Sequence, residues 1–68
     1  MELRQLFEQG MGLHQTGRLD QAEAVYRQVL KVDAGNFPAL RMLGFLKAQQ
    51  GRFDDAITLL NKALKKNP

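Results

Sequence analysis

Apolar side chains recur along the chain at intervals of three and four residues, the period of one face of an α-helix. Four stretches show this period, and glycine, asparagine or aspartate separates each stretch from the next. The pattern predicts helices over about residues 2–16, 20–33, 37–50 and 54–66. Because the connections are only a few residues long, consecutive helices should be antiparallel. The sequence therefore predicts an all-α fold of two helix-turn-helix hairpins.

Glycine and aspartate mark the helix ends at equivalent places. Gly17 and Gly51 follow the last apolar positions of the first and third helices, where glycine readily adopts the left-handed backbone that ends a helix. Asp20 and Asp54 come next, and aspartate is a favoured N-cap because its carboxylate accepts from the free amides of the first turn. Glu23 would complete a capping box with Asp20. We therefore expect the two aspartates to begin the second and fourth helices.

The two halves of the chain follow one pattern at an offset of 34 residues. The segment GRLDQA at residues 17–22 returns as GRFDDA at residues 51–56, and further identities are spread over the period. An internal repeat of this length is typical of solenoid proteins. We therefore divide a single domain, residues 1–68, into repeat one at residues 1–34 and repeat two at residues 35–68.

Small residues occupy matching positions in the two hairpins. Gly10 and Gly44 lie in the middle of the first helix of each repeat, where glycine costs up to about 1 kcal/mol relative to alanine. Ala22 and Ala56 lie early in the partner helices. We expect each glycine to face an alanine so that the two backbones approach closely, with a bulky residue one turn further on filling the wider part of the hairpin.

These positions resemble the pattern of the tetratricopeptide repeat family, which has a bulky residue and a glycine in the first helix, an alanine and an aromatic in the second, and a closing proline. The positions of this pattern are held by Leu6, Gln9, Gly10, Leu13, Ala22, Tyr26 and Ala34 in repeat one, and by Leu40, Leu43, Gly44, Lys47, Ala56, Leu60 and Pro68 in repeat two. The chain departs from the pattern at Gln9, where leucine is usual, at Ala34, where proline is usual, and at Lys47, where a large aromatic residue is usual. Leucine replaces tryptophan in both repeats. The resemblance covers the entire chain and implies a short right-handed α-solenoid that serves as a non-catalytic protein-protein interaction scaffold.

In that family, the first helix of each repeat lines a concave groove that binds a peptide or a helix of a partner. The resemblance implies that the groove residues here are Arg4, Phe7, Glu8, Met11, Gln15, Arg41, Met42, Phe45 and Gln49. Phe7, Met11 and Phe45 are large apolar residues off the main stripe of their helices, and such side chains supply contact area to partners. The alternative is that these three side chains only pack between adjacent hairpins.

The last helix has more apolar surface than one hairpin contact needs, namely Ile57, Leu59, Leu60 and Leu64. Two explanations are open. The chain is a fragment of a longer array, such as the part of a glycosyltransferase that recognises its substrate or partner. Alternatively, copies of the chain self-associate at high concentration, by stacking or by swapping a helix through the turn at residues 34–36.

The sequence lacks the residues that several classes of protein function require. Cysteine is absent and His14 is the single histidine, so we expect no metal site and no cofactor. No serine or cysteine nucleophile accompanies His14, and we therefore predict that the chain is not an enzyme. No apolar run approaches the roughly 20 residues of a membrane span, and no signal-peptide pattern is present. We expect a cytoplasmic protein without a membrane partner.

The chain carries a net charge of +3, and its cations concentrate in the second half. Nucleic acid is therefore the runner-up partner class, with phosphate contacts from Arg18, Arg52, Lys62, Lys65 and Lys66. The competing explanation, which we favour, is that the terminal lysines interact with the negative end of the last helix dipole.

One well-known use of tetratricopeptide repeats conflicts with this sequence. Repeats that clamp the C-terminal carboxylate of chaperones place lysine and asparagine at positions held here by Phe7, Met11 and Met42. A carboxylate requires charge-assisted donors, which these side chains lack. We therefore predict that the chain is not a chaperone-tail clamp.

Overall fold

The computed structural model describes residues 2–66 and consists of four α-helices. The described residues contain no strand. The helices are α1 (Leu3–Gln15), α2 (Leu19–Val32), α3 (Phe37–Gln49) and α4 (Phe53–Lys66). Each helix end lies within one residue of its predicted position. The all-α prediction is therefore confirmed, whereas the predicted helix stop at Pro68 lies outside the described residues.

A pair of backbone hydrogen bonds closes the corner between α1 and α2. Gly17 has a φ angle of +81°, and its N–H donates to the carbonyl of His14 at 3.1 Å. The N–H of Arg18 donates to the carbonyl of Leu13 at 2.9 Å. These two bonds define a Schellman motif, which satisfies carbonyls that the end of α1 leaves free. The left-handed φ explains why this corner requires glycine.

The corner between α3 and α4 repeats this geometry. Gly51 has a φ angle of +79° and donates to the carbonyl of Ala48 at 3.0 Å. Arg52 donates to the carbonyl of Lys47 at 2.9 Å, as Arg18 does at the first corner. The repeated Gly-Arg dipeptide is therefore a backbone device that ends one helix and positions the next.

The prediction that Asp20 and Asp54 cap α2 and α4 is wrong. The carbonyls of Arg18 and Arg52 already accept the first helical hydrogen bonds, so α2 begins at the next residue after Arg18, and Asp20 and Asp54 are the second residues of their helices. Glu23 forms no capping box, because the cap residue Arg18 makes no side-chain cap hydrogen bond. The aspartates instead place negative charge in the first turn, where the helix dipole favours it.

Asn36 connects the two hairpins. Its Oδ1 accepts from the N–H of Ala39 at 2.9 Å and caps α3, and its Nδ2 donates to Oδ2 of Asp33 at 3.3 Å. Pro38 lies in the first turn of α3, where a helix needs no amide donor. The turn that separates the two repeats therefore stops α2 and starts α3 within a few residues.

The hydrophobic core lies mainly between α2 and α3. Ala22 and Tyr26 of α2 form a buried cluster with Leu43 and Leu46 of α3. Burying a large apolar side chain stabilises the folded state by about 1.5–3 kcal/mol. Because this cluster takes residues from both hairpins, its burial holds the hairpins together. Within each hairpin, α1 packs against α2 and α3 packs against α4. The smaller contact between α1 and α3 brings the first helices of the two repeats side by side.

The mid-helix glycines approach bulky side chains more closely than they approach alanines, which corrects the predicted pairing. A Cβ built on Gly10 would lie 2.7 Å from Cε1 of Tyr26. A Cβ built on Gly44 would lie 2.8 Å from Cγ of Leu60 and 3.5 Å from the carbonyl oxygen of Ala56. The glycines are therefore packing residues, because each accommodates a large side chain of its partner helix.

Candidate functional site

The predicted groove residues divide into a half-buried set and an exposed set. Phe7, Met11 and Met42 are half-buried and pack against the core cluster between α2 and α3. The exposed set comprises Arg4, Glu8, Gln15, Arg41, Phe45 and Gln49. The partial burial of Phe7 and Met11 therefore agrees with the alternative that they pack between hairpins, whereas Phe45 is exposed.

A pocket lies where the start of α1 meets the start of α3. Its volume is about 200 Å³, and it is lined by Leu3, Arg4, Phe7, Asn36 and Pro38. We call it the groove pocket. Arg4 and Phe7 were predicted groove residues, whereas Leu3, Asn36 and Pro38 were not. Sequence reasoning missed these three because their contribution depends on how closely α1 and α3 approach.

A second pocket of about 250 Å³ lies between α3 and α4, and we call it the end pocket. Its lining is Phe37, Arg41, Phe45, Leu60, Ala63 and Leu64. Cζ of Arg41 lies 5.3 Å from the centroid of the Phe45 ring, a cation–π distance. The end pocket therefore combines two predicted groove residues, Arg41 and Phe45, with two residues predicted for self-association.

The four residues predicted for self-association differ in exposure. Ile57 and Leu64 are 57% and 58% exposed. Leu60 is half-buried against Gly44, and Leu59 is half-buried against the core. Phe53 is 63% exposed and was missed. Its position four residues before Ile57 is the sequence signal that could have placed it on the same face.

His14 joins three helices by hydrogen bonds. Its Nδ1 lies 3.1 Å from the hydroxyl of Tyr26 on α2, and its Nε2 contacts Oε1 of Gln49 on α3. Because an amide oxygen only accepts, Nε2 donates in the contact with Gln49, and the Tyr26 hydroxyl is the partner of Nδ1. Burial raises the pKa of that hydroxyl, which keeps it a donor. His14 therefore links α1 to α2 and α3, and these contacts have no local sequence signal.

Lys47 forms the other polar link between the hairpins. The residue is 3% exposed, and its Nζ lies 2.9 Å from Oε2 of Glu23 on α2. Nη2 of Arg27 lies 2.9 Å from the same oxygen. Burial alone would raise the pKa of the Glu23 carboxyl, but the hydrogen bonds and charges of Lys47 and Arg27 outweigh it and lower that pKa. A buried ammonium is tolerated only with such a partner.

Two stacked helical hairpins with an internal repeat define the class of α-helical repeat proteins, which present helix faces to other molecules. A family model described as Tetratricopeptide repeat matches residues 13–68, well over half of the chain. The chain therefore belongs to the tetratricopeptide repeat family, and repeats of this family generally mediate protein-protein interactions. A comparison with curated proteins finds no match.

Two further findings concern the described residues only. None of the helices is both long enough and apolar enough to cross a membrane. The described part of the chain also contains no group of three histidine, cysteine, aspartate or glutamate side chains that could hold a metal ion.

Proposed function

We propose that the chain is a non-catalytic scaffold that binds a peptide or a helix of a partner protein along α1 and α3. The observation that carries this proposal is the groove pocket between the first turns of the two helices. It presents the apolar side chains of Leu3 and Phe7 beside the exposed guanidinium of Arg4. A volume of about 200 Å³ suits one large apolar side chain of a partner.

The floor of the groove pocket is held in place by the core. The Phe7 ring lies 5.9 Å from the ring of Tyr26, and Tyr26 is fully buried and hydrogen-bonded to His14. A rigid aromatic anchor loses little conformational entropy when a partner binds. Arg4 adds a charge-assisted donor at the rim, which favours a partner with a carboxylate next to its apolar anchor.

A peptide-library selection on the wild-type chain tests the proposal. We expect selected peptides to bind at least about tenfold more weakly to Arg4→Glu and to Phe7→Ala, since central aromatic and arginine contacts carry most interface energy. Val32→Ala is the matched control, because Val32 is an exposed apolar residue of α2 outside both pockets. Circular dichroism of each variant separates loss of binding from loss of fold.

Arg4→Glu is the decisive variant because Arg4 is exposed and its replacement leaves the core intact. Peptides that bind Arg4→Glu, Phe7→Ala and wild type with equal affinity would contradict the groove assignment. A selection that recovers no peptide sensitive to either change would count against it equally.

We also propose that copies of the chain self-associate at high concentration through the exposed apolar face of α4. The exposure of Ile57 and Leu64 supports this proposal, since contiguous exposed apolar side chains mark interaction surfaces. Sedimentation equilibrium up to millimolar concentration tests it. A monomer throughout that range would refute it.

A further inference from the structure

The exposed apolar residues of α4, together with the half-buried Leu60, form a regular stripe. Phe53, Ile57, Leu60 and Leu64 follow one another at intervals of four, three and four residues. This spacing is that of the seam between two helices that pack side by side. At a rise of about 1.5 Å per residue, the stripe is about 16 Å long. Leu60 packs against Gly44 of α3 and forms the edge of the stripe next to α3, whereas Phe53, Ile57 and Leu64 are exposed and available to a further helix.

Opposite charges flank this stripe at its two ends. Asp54 and Lys65 are both exposed and lie 11 residues apart, which places them about 20° apart around the helix. They therefore share one edge of the stripe, with the carboxylate in the first turn and the ammonium in the last. The midpoint between them nearly coincides with the midpoint of the stripe.

We propose that two copies of the chain pair through antiparallel α4 helices, with the stripes in contact and with Asp54 of each copy facing Lys65 of the other. This inference rests on the proposed self-association and specifies its geometry. In an antiparallel pair, the same edge of both helices comes together, so Asp54 of each copy faces Lys65 of the other at the two ends of that edge. In a parallel pair, the edge that carries Asp54 and Lys65 on one helix faces the opposite edge of the other helix, so these charges form no attractive pairs.

The end pocket adds a concave surface along the stripe. Leu60 and Leu64 belong to the stripe and also line this pocket, together with Phe45 of α3. An apolar side chain of the second copy can therefore insert between α3 and α4. A ridge that fits into a neighbouring hole is the packing by which helices achieve high density.

The opposite end of the molecule does not offer the α4 stripe a comparable surface. Leu43 and Leu46 of α3 pack against α2 inside the chain, and the positions 34 residues earlier are Gln9 and Gly12. Both are exposed on α1. A head-to-tail contact between copies would thus meet a glutamine and a glycine where α3 offers two leucines to α2. The α4 stripe is better matched by its own copy, which gives a closed pair and not an open filament.

Charge exchange tests the geometry. The variants are Asp54→Lys, Lys65→Glu and the double exchange, measured by sedimentation at low ionic strength, where surface charges are least screened. Each single exchange turns two attractive pairs into two repulsive ones, so we expect the dimer dissociation constant to rise at least about fivefold. The double exchange restores both attractive pairs, and the dimer dissociation constant should return to within about threefold of the wild-type value.

Asp55→Lys and Lys62→Glu are matched controls. They make the same charge changes on exposed residues of α4 at the side away from the stripe. We expect both controls to dimerise like the wild type. Because charge reversal in the first and last turns opposes the helix dipole, circular dichroism must confirm an unchanged helix content. If a reversal unfolds α4, Asp54→Asn and Lys65→Gln remove the same attraction with a smaller perturbation.

The outcomes distinguish this geometry from self-association as such. Single exchanges that weaken the dimer, together with a double exchange that does not restore it, would overturn the antiparallel pairing of Asp54 with Lys65. Dimers that are insensitive to every exchange would overturn the role of Asp54 and Lys65 and leave self-association standing. A wild-type monomer at millimolar concentration would refute both, while the groove proposal is tested separately by the peptide selection.

Discussion

Replacing glycine by alanine at two positions of α1 should change stability in opposite directions. A Cβ at Gly10 would lie 2.7 Å from Cε1 and 2.9 Å from Cδ1 of Tyr26. A Cβ at Gly12 meets nothing within 4 Å. The two positions lie in the same helix and differ in little other than their surroundings. They therefore separate the effect of helix propensity from the effect of packing.

The expected magnitudes follow from these distances. In an open helix position, alanine is favoured over glycine by about 0.8–1 kcal/mol, and Gly12→Ala should gain that amount. Gly10→Ala gains the same helix-propensity term, but the new Cβ must displace the fully buried ring of Tyr26, whose hydroxyl is hydrogen-bonded to His14. Overpacking of this kind costs about 1–3 kcal/mol, and a rigid ring places the cost near the upper end. We expect a net loss of about 1–2 kcal/mol at Gly10.

Urea unfolding followed by circular dichroism, at a concentration where the chain is monomeric, measures both free energies. For a domain of this size, 1 kcal/mol corresponds to about 4–8 °C in Tm, so the two variants should be clearly separated in thermal melts as well. Gly44→Ala should be intermediate, because its Cβ would meet the half-buried Leu60 side chain, which can rotate. A Gly10→Ala variant as stable as Gly12→Ala would refute the packing argument.

Three further predictions concern the links around α3. Glu23→Gln leaves the Lys47 ammonium buried without its anion and should lower the free energy of unfolding by about 2 kcal/mol, whereas adding Lys47→Met should recover most of that loss in urea titrations. The pKa of the Glu23 carboxyl is lowered in the fold, so its stabilisation is complete above pH 4.5 and disappears as the pH falls through the lowered pKa. The difference in unfolding free energy between wild type and Glu23→Gln should therefore shrink as the pH falls below 4.5, and a constant difference would contradict this. Asn36→Ala removes the cap on the N–H of Ala39 and should cost about 1 kcal/mol in thermal melts; no change would show that the cap is replaceable by water.

Local chemistry accounts for most of what could be predicted. The four helices follow from apolar spacing, and their ends follow from residues such as Gly17 and Gly51, whose preference for a left-handed backbone needs no tertiary contact. The error at Asp20 and Asp54 is also local. Both aspartates are favoured caps, but the Schellman corner places the arginine before each helix in the cap position, and sequence propensity does not distinguish shifts of one or two residues.

The candidate site was predictable only in part. The exposed positions of Arg4 and Gln15 follow from the helical period together with the family geometry. The helical period does not predict that Phe45 and Leu60 line the same pocket, because these side chains are brought together by the packing of α3 on α4. The groove pocket likewise depends on the approach of Pro38 to α1.

The sequence alone determined that this chain is a tandem of two helical hairpins of the tetratricopeptide repeat family. Helix periodicity and the glycines that end helices depend on neighbouring residues, and the 34-residue repeat is read directly by comparing the two halves of the sequence. Only the tertiary structure decided that Lys47 reaches Glu23, that His14 joins three helices, and that Phe45 and Leu60 line one pocket. These outcomes depend on the distance and angle between helices that are far apart in sequence. Such distances and angles are set by how the whole set of side chains packs, and no local pattern specifies them.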